Sequence, residues 1–423
     1  MNQSFLERLK SDRTLQLIFA GGFLSFVLII VLILGSLGGG GQKKEVLPCY
    51  NTTLTIWAPF EEYKILNFFQ GFSNRCVRFE YKEKSLEEIL KVLPRIMVQK
   101  EVPDIVFVDR FHLLEYKDVF EKAPKDLILK LKPVLHEKEL RWFEPWLGFP
   151  MFVDSLVPIY LQSYLRSAGF INPPETFGEL NQFIKKLRVV DQAGNLIFSP
   201  IVFGGLKEKR LVETILALSL LKMKNIDREE LRNTLPSMID FYLSYSNPQN
   251  ENYSYFIEWP DGKKSLLQRK SGAFIGFYED FISLKNEDPR INVEVGKFYR
   301  FDHDPKRANF TQVYYFGVLK TKNAKAAWDF LNWLYAKQLM QISQEFNLVP
   351  ADVEKVKGLE KEKRIVLEEA LVGETFDFVN LDVLRDNIKM ILEAWIKDPV
   401  DGERLLDNLE PAFLPYIPEW LEQ

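Results

Sequence analysis

Histidine and cysteine are scarce, with three and two in 423 residues. So few nitrogen and sulfur ligands leave little from which to build a zinc or iron centre, and neither a metal nor a cofactor is expected. Lysine and arginine number 55 against 59 aspartates and glutamates, a net charge of −4. No basic patch carries interleaved aromatics, so nucleic acid is not an expected partner. The sequence holds no HExxH, no Gly-x-Ser-x-Gly, no phosphate loop and no dinucleotide fingerprint. Ser219 and Lys222 do satisfy Ser-x-x-Lys, but they sit in LALSLLKMK, a helix-like apolar run, and read as packing positions. Asp302-His303-Asp304 lacks the glycine and distant glutamate of a calcium loop and reads as an exposed acidic turn. There is no internal repeat, and the only low-complexity stretch is one short glycine run.

Apolar residues are plentiful, at 47% of the chain, enough for a large core in two lobes. One run stands apart. Leu15 to Leu37, LQLIFAGGFLSFVLIIVLILGSL, is nearly uninterrupted. At about 1.5 Å per residue it reaches across a hydrocarbon layer of roughly 30 Å. Arg8, Lys10 and Arg13 precede it, which favours an inside N-terminus. A cleaved signal peptide would have a shorter apolar region and a small-x-small cut site. The expectation is a cytosolic tail at 1–14, a single transmembrane anchor at 15–37 and a flexible tether at 38–49 containing GGGGQ. The remainder then lies outside the cell, or in a periplasm. Pro48 and the polar stretch Gln42-Lys43-Lys44-Glu45 exclude a lipid-modified Cys49. Cys49 and Cys76 each precede a strand-like segment, so a disulfide is expected if those strands are neighbours.

From residue 50 the pattern alternates. Leu54–Trp57, Val77–Tyr81 and Asp104–Val108 read as strands. Glu61–Phe72 and Leu86–Val98 read as helices between them. That order predicts a parallel sheet covered on both faces, with ligands beyond the carboxyl ends of its strands. The stretch AGFINPPETFGELNQFIKKL is a rigid elbow. A helix over Tyr160–Ala168 ends at Gly169, Pro173 and Pro174 force an extended passage, and Thr176 with Glu179 forms a capping box for a second helix. Gly272–Phe277 and Gln312–Leu319 read as strands, and the region from Ala324 to the end as helical.

Several stretches, in order, resemble the extracellular solute-binding proteins of ABC importers, in the maltose-binding-protein-like family. They are LTIWAPFEE, VPDIVFVDRFHLLEY, GFPMFVDSLVPIYLQSYLRSAGFINPPETFGELNQFIKKL, QRKSGAFIGFYED, NAKAAWDFLNWLYAKQLMQ and NLVPA. No single one is specific; their order and spacing over roughly residues 53–350 is. The resemblance implies an α/β, two-lobed periplasmic-binding-protein-like fold of type II, whose lobes close on a ligand by hinge motion. By analogy one lobe takes 50–151 and 272–320, the other 155–268 and 325–423. Three positions depart from the family pattern: Phe277-Tyr278 replaces its tryptophan, Leu161-Gln162 its Tyr-Asn, and Ala273-Phe274 its Ala-Met. These departures leave the ligand open.

A sugar cleft needs aromatic faces and polar groups converging from both lobes. The candidate ligand contacts are Trp57, Phe60 and Glu61 after the first strand, and Asp109 and Arg110 after the third. Phe152 and Asp154, next to Met151, lie at the lobe crossing. Phe203, Gly204, Trp259 and Tyr278 complete the set with Tyr315. Tyr314 and Tyr315 alternate faces, so at most one of them faces the cleft. Glu61 could instead be an ordinary first-turn glutamate, Asp109 or Arg110 a local ion pair, and Asp154 a hinge anchor. Trp328 and Trp333 read as core. The implied function is non-enzymatic: capture of a small solute, a carbohydrate, and delivery to an ABC permease. The alternatives are an anchored sensing or interaction ectodomain and, further off, a carbohydrate-active enzyme.

Overall fold

The computed structural model describes residues 49–203, 205–208, 210–256, 258–377, 380–406 and Leu409. The expected tail, anchor and all of the tether before Cys49 lie outside these residues. Among the described residues no helix is long and apolar enough to cross a membrane. Neither cysteine is free; Cys49 and Cys76 are both disulfide-bonded.

Among the described residues twelve strands are formed: β1 (Thr52–Ala58), β2 (Val77–Glu83), β3 (Ile105–Asp109), β4 (Gly148–Ser155), β5 (Val157–Leu161), β6 (Val189–Val190), β7 (Leu196–Phe198), β8 (Ala273–Gly276), β9 (Val293–Val295), β10 (Asn309–Val318), β11 (Val349–Pro350) and β12 (Gly373–Glu374). The opening alternation folds as read. β1 lies parallel between β2 and β3, with helices Glu62–Phe69 and Leu86–Val92 in the connections. Leu54, Ile56 and Ala58 are wholly buried on one face of β1, which is the period-2 pattern a half-covered strand requires. Ser85 and Glu88 cap the second helix reciprocally.

The sheet as a whole is mixed rather than parallel. Its order is β11-β4-β10-β3-β1-β2, and β10 runs antiparallel to both β3 and β4. β12 adds to the start of β10. Antiparallel neighbours need no crossover helix between them, so chain from late in the sequence sits at the centre of the sheet. Gly317 on β10 is needed there, because a Cβ would come within 2.5 Å of the Phe120 ring.

All residues of β4 and of β5 are buried, and Leu156 alone separates the two strands. The chain thus passes directly from the large sheet to a small antiparallel one, ordered β8-β5-β9. The crossing is tied to β10. The Asn309 side-chain amide donates to Leu156 O at 2.8 Å and to Glu369 Oε2 at 2.9 Å, and the Ser155 and Thr311 hydroxyls meet at 2.9 Å.

Two readings change here. Tyr160 and Leu161 belong to β5, and the helix begins at Gln162, because Val157–Tyr160 pair with β8 and Ile159–Leu161 with β9. The lobe grouping also differs from the analogy. Ala273–Gly276 pairs with β5 in the small sheet. The helix Ala324–Glu345 instead packs on Glu62–Phe69, where Phe330 meets Phe69 at 5.0 Å edge-on. Trp328 in that helix is buried, and Trp333 lies 5.6 Å from Phe72.

The elbow ends as its sequence predicts. Glu179 N donates to Thr176 Oγ1 at 3.2 Å, and Thr176 N to Glu179 Oε2 at 3.3 Å. Asp302, read as an exposed turn, also serves this helix, accepting from the Thr176 hydroxyl at 2.8 Å and from Gly178 N at 2.9 Å. Ser219 is wholly buried and donates to Ile215 O at 2.9 Å, so no nucleophile is presented there.

Candidate functional site

The ends of the large-sheet strands face the start of the Tyr278–Glu287 helix, which follows β8 of the small sheet. Between them lies a cavity of about 250 Å³. Its walls are Pro59 and Phe60 after β1, Leu86, Phe107 on β3, Phe152 to Asp154 on β4, and Tyr314 on β10. Phe346 to Val349 and, from the small-sheet side, Tyr278, Glu279 and Ile282 complete it.

The aromatic wall is held rigidly. The Tyr81 hydroxyl accepts from Phe60 N at 3.1 Å and lies 2.8 and 2.9 Å from the carbonyl oxygens of Phe60 and Ala58, fixing the turn that carries the ring. The Phe60 ring then packs against Phe346 at 4.8 Å, Phe107 at 5.2 Å and Phe152 at 6.0 Å. Tyr314 stacks on Phe107 with centroids 5.7 Å apart and planes 9° from parallel, and its hydroxyl donates to Gln312 Oε1 at 2.7 Å. Offset stacks and edge contacts of this kind are favoured by the ring quadrupoles.

Asp154 is the buried acid of the cavity. Its oxygens accept from Tyr278 N at 2.8 Å and Glu279 N at 3.0 Å, the first amides of the Tyr278–Glu287 helix. A carboxylate there satisfies orphan amides and favours the positive helix end. Burial nevertheless raises its pKa well above the ordinary value, and the nearby Glu279 charge adds to this; the two amides act in the opposite sense. Burial likewise raises the Tyr278 and Tyr314 phenols.

Beside the cavity an open groove of about 760 Å³ shares Leu86, Glu279 and Tyr314 with it. The groove is polar, with Lys91, Asp109, His112, Arg210, Gln312, Asn380 and Arg385 on its walls. Asp109 caps the short Arg110–Glu115 helix, accepting from His112 N at 2.9 Å, and its carboxylate also lies 2.8 Å from His112 Nδ1. Arg210 pairs with Asp280 at 3.0 Å and with Glu279, and its guanidinium lies 4.7 Å from the Phe277 ring. Arg385 pairs with the buried Glu213 at 2.6 Å.

Arg110 does not line the cavity. It is buried and grips Asp377 with Nε at 2.6 Å and Nη2 at 2.8 Å, while Nη1 donates to Trp142 O, Glu144 O and the Tyr315 hydroxyl. Burial opposes the charge, but the Asp377 carboxylate outweighs it and holds the guanidinium pKa above its ordinary value.

Of the expected contacts, Phe60, Phe152, Asp154 and Tyr278 come together at the cavity, and Asp109 lies on the adjoining groove. The others are placed elsewhere. Glu61 is exposed at the start of the Glu62–Phe69 helix, paired with Lys64 at 3.2 Å. Trp57 is buried, with Lys84 Nζ 4.6 Å from its ring. Phe203 is wholly buried and stacks on Tyr245 at 4.7 Å. Trp259 is buried against Phe256 at 4.8 Å. Gly204 lies outside the described residues. Tyr315 points away from the cavity and donates to Trp142 O; its neighbour Tyr314 takes the cavity face. The sequence reading missed Phe346, Leu348 and Val349, although NLVPA had drawn notice as a turn, and it missed Arg210 and Arg385, which no motif marks.

By sequence, no family model and no curated protein matches the chain. By structure, the chain is similar to the sugar-binding protein MalE from the phytopathogen Xanthomonas citri, with TM-score 0.68 and 12% identity, over 85% of this chain and 96% of that one. It is similar to a cyclic alpha-maltosyl-1,6-maltose binding protein from Arthrobacter globiformis, with TM-score 0.66 and 14% identity, over 85% and 97%. It is also similar to UgpB from Mycobacterium tuberculosis, solved in complex with glycerophosphocholine, with TM-score 0.65 and 12% identity, over 85% and 96%. At these identities the likeness shows the fold. It is the two-lobed α/β fold of the maltose-binding-protein-like solute-binding proteins that the sequence resembles.

Proposed function

We propose that this chain is a solute-binding protein. It captures a carbohydrate-type solute between its two lobes and delivers it to an ABC permease, held at the membrane by residues 15–37. One observation carries the reading. On a fold shared with a sugar-binding MalE, the strand ends of one sheet and the helix start above the other enclose a cavity lined by aromatic side chains. Aromatic faces against apolar ring faces are what saccharide capture needs. Phe60, Phe152, Tyr278 and Tyr314 are the proposed contacts in the cavity, with Asp109 and Gln312 in the groove. The reading is of binding and release, with no bond made or broken.

The test is thermal unfolding of the purified protein against a panel of oligosaccharides, polyols and phosphodiesters. A ligand at 100 times its dissociation constant adds about 2.7 kcal/mol and raises the midpoint by several degrees. Stabilisation by a saccharide, with the saccharide recovered unchanged, is the expected result. Recovered product would turn the reading to an enzyme. No stabilisation by any member would turn it to an interaction ectodomain on the same fold.

A further inference from the structure

The cavity and the groove beside it differ in chemistry, and the difference restricts the solute. Phe60, Phe107, Phe152, Phe346, Leu348 and Ile282 make the cavity wall apolar. Most of its polar groups are already engaged, leaving the Tyr278 hydroxyl and the Asn347 side-chain amide as the few that a solute could use. Both Asp154 oxygens accept helix amides, the Tyr314 hydroxyl donates to Gln312, and Glu279 pairs with Arg210. A pyranose pushed fully into this space would give up hydrogen bonds to water all round its ring and find few replacements. Unreplaced buried hydroxyls cost more than the ring's apolar faces return. An apolar group suffers no such loss. A cavity of ~150 Å³ lined by leucine, isoleucine and phenylalanine stays dry and takes up benzene; this one holds about 250 Å³. The groove, continuous with it through Leu86, Glu279 and Tyr314, supplies the hydrogen-bonding side chains that the cavity lacks.

We infer that the solute is amphipathic: a polyhydroxylated head lies in the groove, and a compact apolar substituent, phenyl-sized or a short alkyl chain, fills the cavity between Phe60, Phe152, Tyr278 and Phe346. This rests on the carbohydrate reading and narrows it to glycosides with an apolar aglycone.

The probes are matched methyl and phenyl glycosides of glucose, mannose and maltose. They are titrated calorimetrically against the full chain, purified without alkyl-glycoside detergents, which would compete for the same site. For at least one sugar the phenyl glycoside should bind tenfold or more tightly than its methyl partner, equivalent to about 1.4 kcal/mol. Ile282→Trp, which fills the cavity from a half-buried position on its wall, should abolish the difference in affinity between the phenyl and methyl glycosides. Equal affinities for the two members of every pair would overturn the inference and leave the carbohydrate reading standing. A phenyl preference that survives Ile282→Trp would overturn the placement in this cavity. Failure of both members of every pair to bind would remove the inference and the carbohydrate reading together.

Discussion

At the Arg110 side of the large sheet a cation is buried against a carboxylate that grips two of its nitrogens, with carbonyls and a tyrosine hydroxyl taking the rest of the fork. At the Phe60 side a carboxylate, Asp154, is buried with two helix amides and no cation. Both residues stand where strands of the large sheet end or cross, and both are of types that sugar sites use. Both are spent internally. The difference lies in what completes them: Arg110 is satisfied by a side chain 267 positions away, Asp154 by the first amides of the helix that follows β8. A polar residue at a strand end is therefore a ligand contact only if its hydrogen-bonding capacity is left over after the fold has used it.

The sharpest way to break this comparison is to remove the cation. Arg110→Ala leaves Asp377 buried without its partner and should cost about 3–5 kcal/mol, read as a loss in denaturant midpoint. Arg110→Lys should recover little of it, since an ammonium cannot reproduce the two-pronged grip. A near-neutral Arg110→Ala would show the pair to be incidental.

Carboxylates without sufficient compensation should show themselves through pH. Burial pushes Glu208 up to about 8 and Glu369 up to about 7, from 4.5, and raises Asp154 from 3.8. Each binds its proton more tightly folded than unfolded. Stability is then complete below the ordinary carboxylate values and is lost as pH rises through the folded ones. The unfolding midpoint should be lower at pH 8.5 than at pH 5.5, and Glu208→Gln should flatten the upper part of that slope. A midpoint that rises over this interval would contradict the assignment.

The adjacent tyrosines of β10 divide stability from binding. Tyr315→Phe removes a hydroxyl that donates to Trp142 O and accepts from Arg110, although Arg110 still donates to Trp142 O and Glu144 O, and should cost about 1 kcal/mol with saccharide affinity intact. Tyr314→Ala should do the reverse, weakening saccharide binding by about three- to tenfold through the lost stacking face. The smallest effect belongs to Glu61. Exposed and outside the cavity, Glu61→Gln should change stability by no more than about 0.5 kcal/mol and leave binding unaltered.

What was legible in the sequence is what short-range physics decides. The β1-helix-β2-helix-β3 alternation and the Thr176–Glu179 capping box depend on neighbours a few residues apart, and they formed as read. Phe60 was placed from the end of a strand legible in the alternation, whereas Phe152, Asp154 and Tyr278 came from the resemblance to the family pattern rather than from local physics. What was not legible depends on distant partners. Nothing local says that β10 enters the sheet antiparallel, that Asp377 will claim Arg110, or that β8 belongs with β5. The choice between Tyr314 and Tyr315 is a matter of strand parity. A register irregularity against β4 falls between these two residues, and alternation alone cannot fix the phase across such a break.

The position of β10 also has a consequence for how the protein is made. β3 and β4 are synthesised early, yet neither touches the other; β10 fills the gap between them, and β11 and β12 arrive later still. A ribosome that has released residue 200 holds unpaired strand edges on both β3 and β4, which invite pairing with other chains. Domain-by-domain folding during translation cannot complete this sheet, because its middle is encoded near its end. Nascent chains stalled before Asn309 should therefore be the ones that engage chaperones, and those stalled well past Val318 should resist protease.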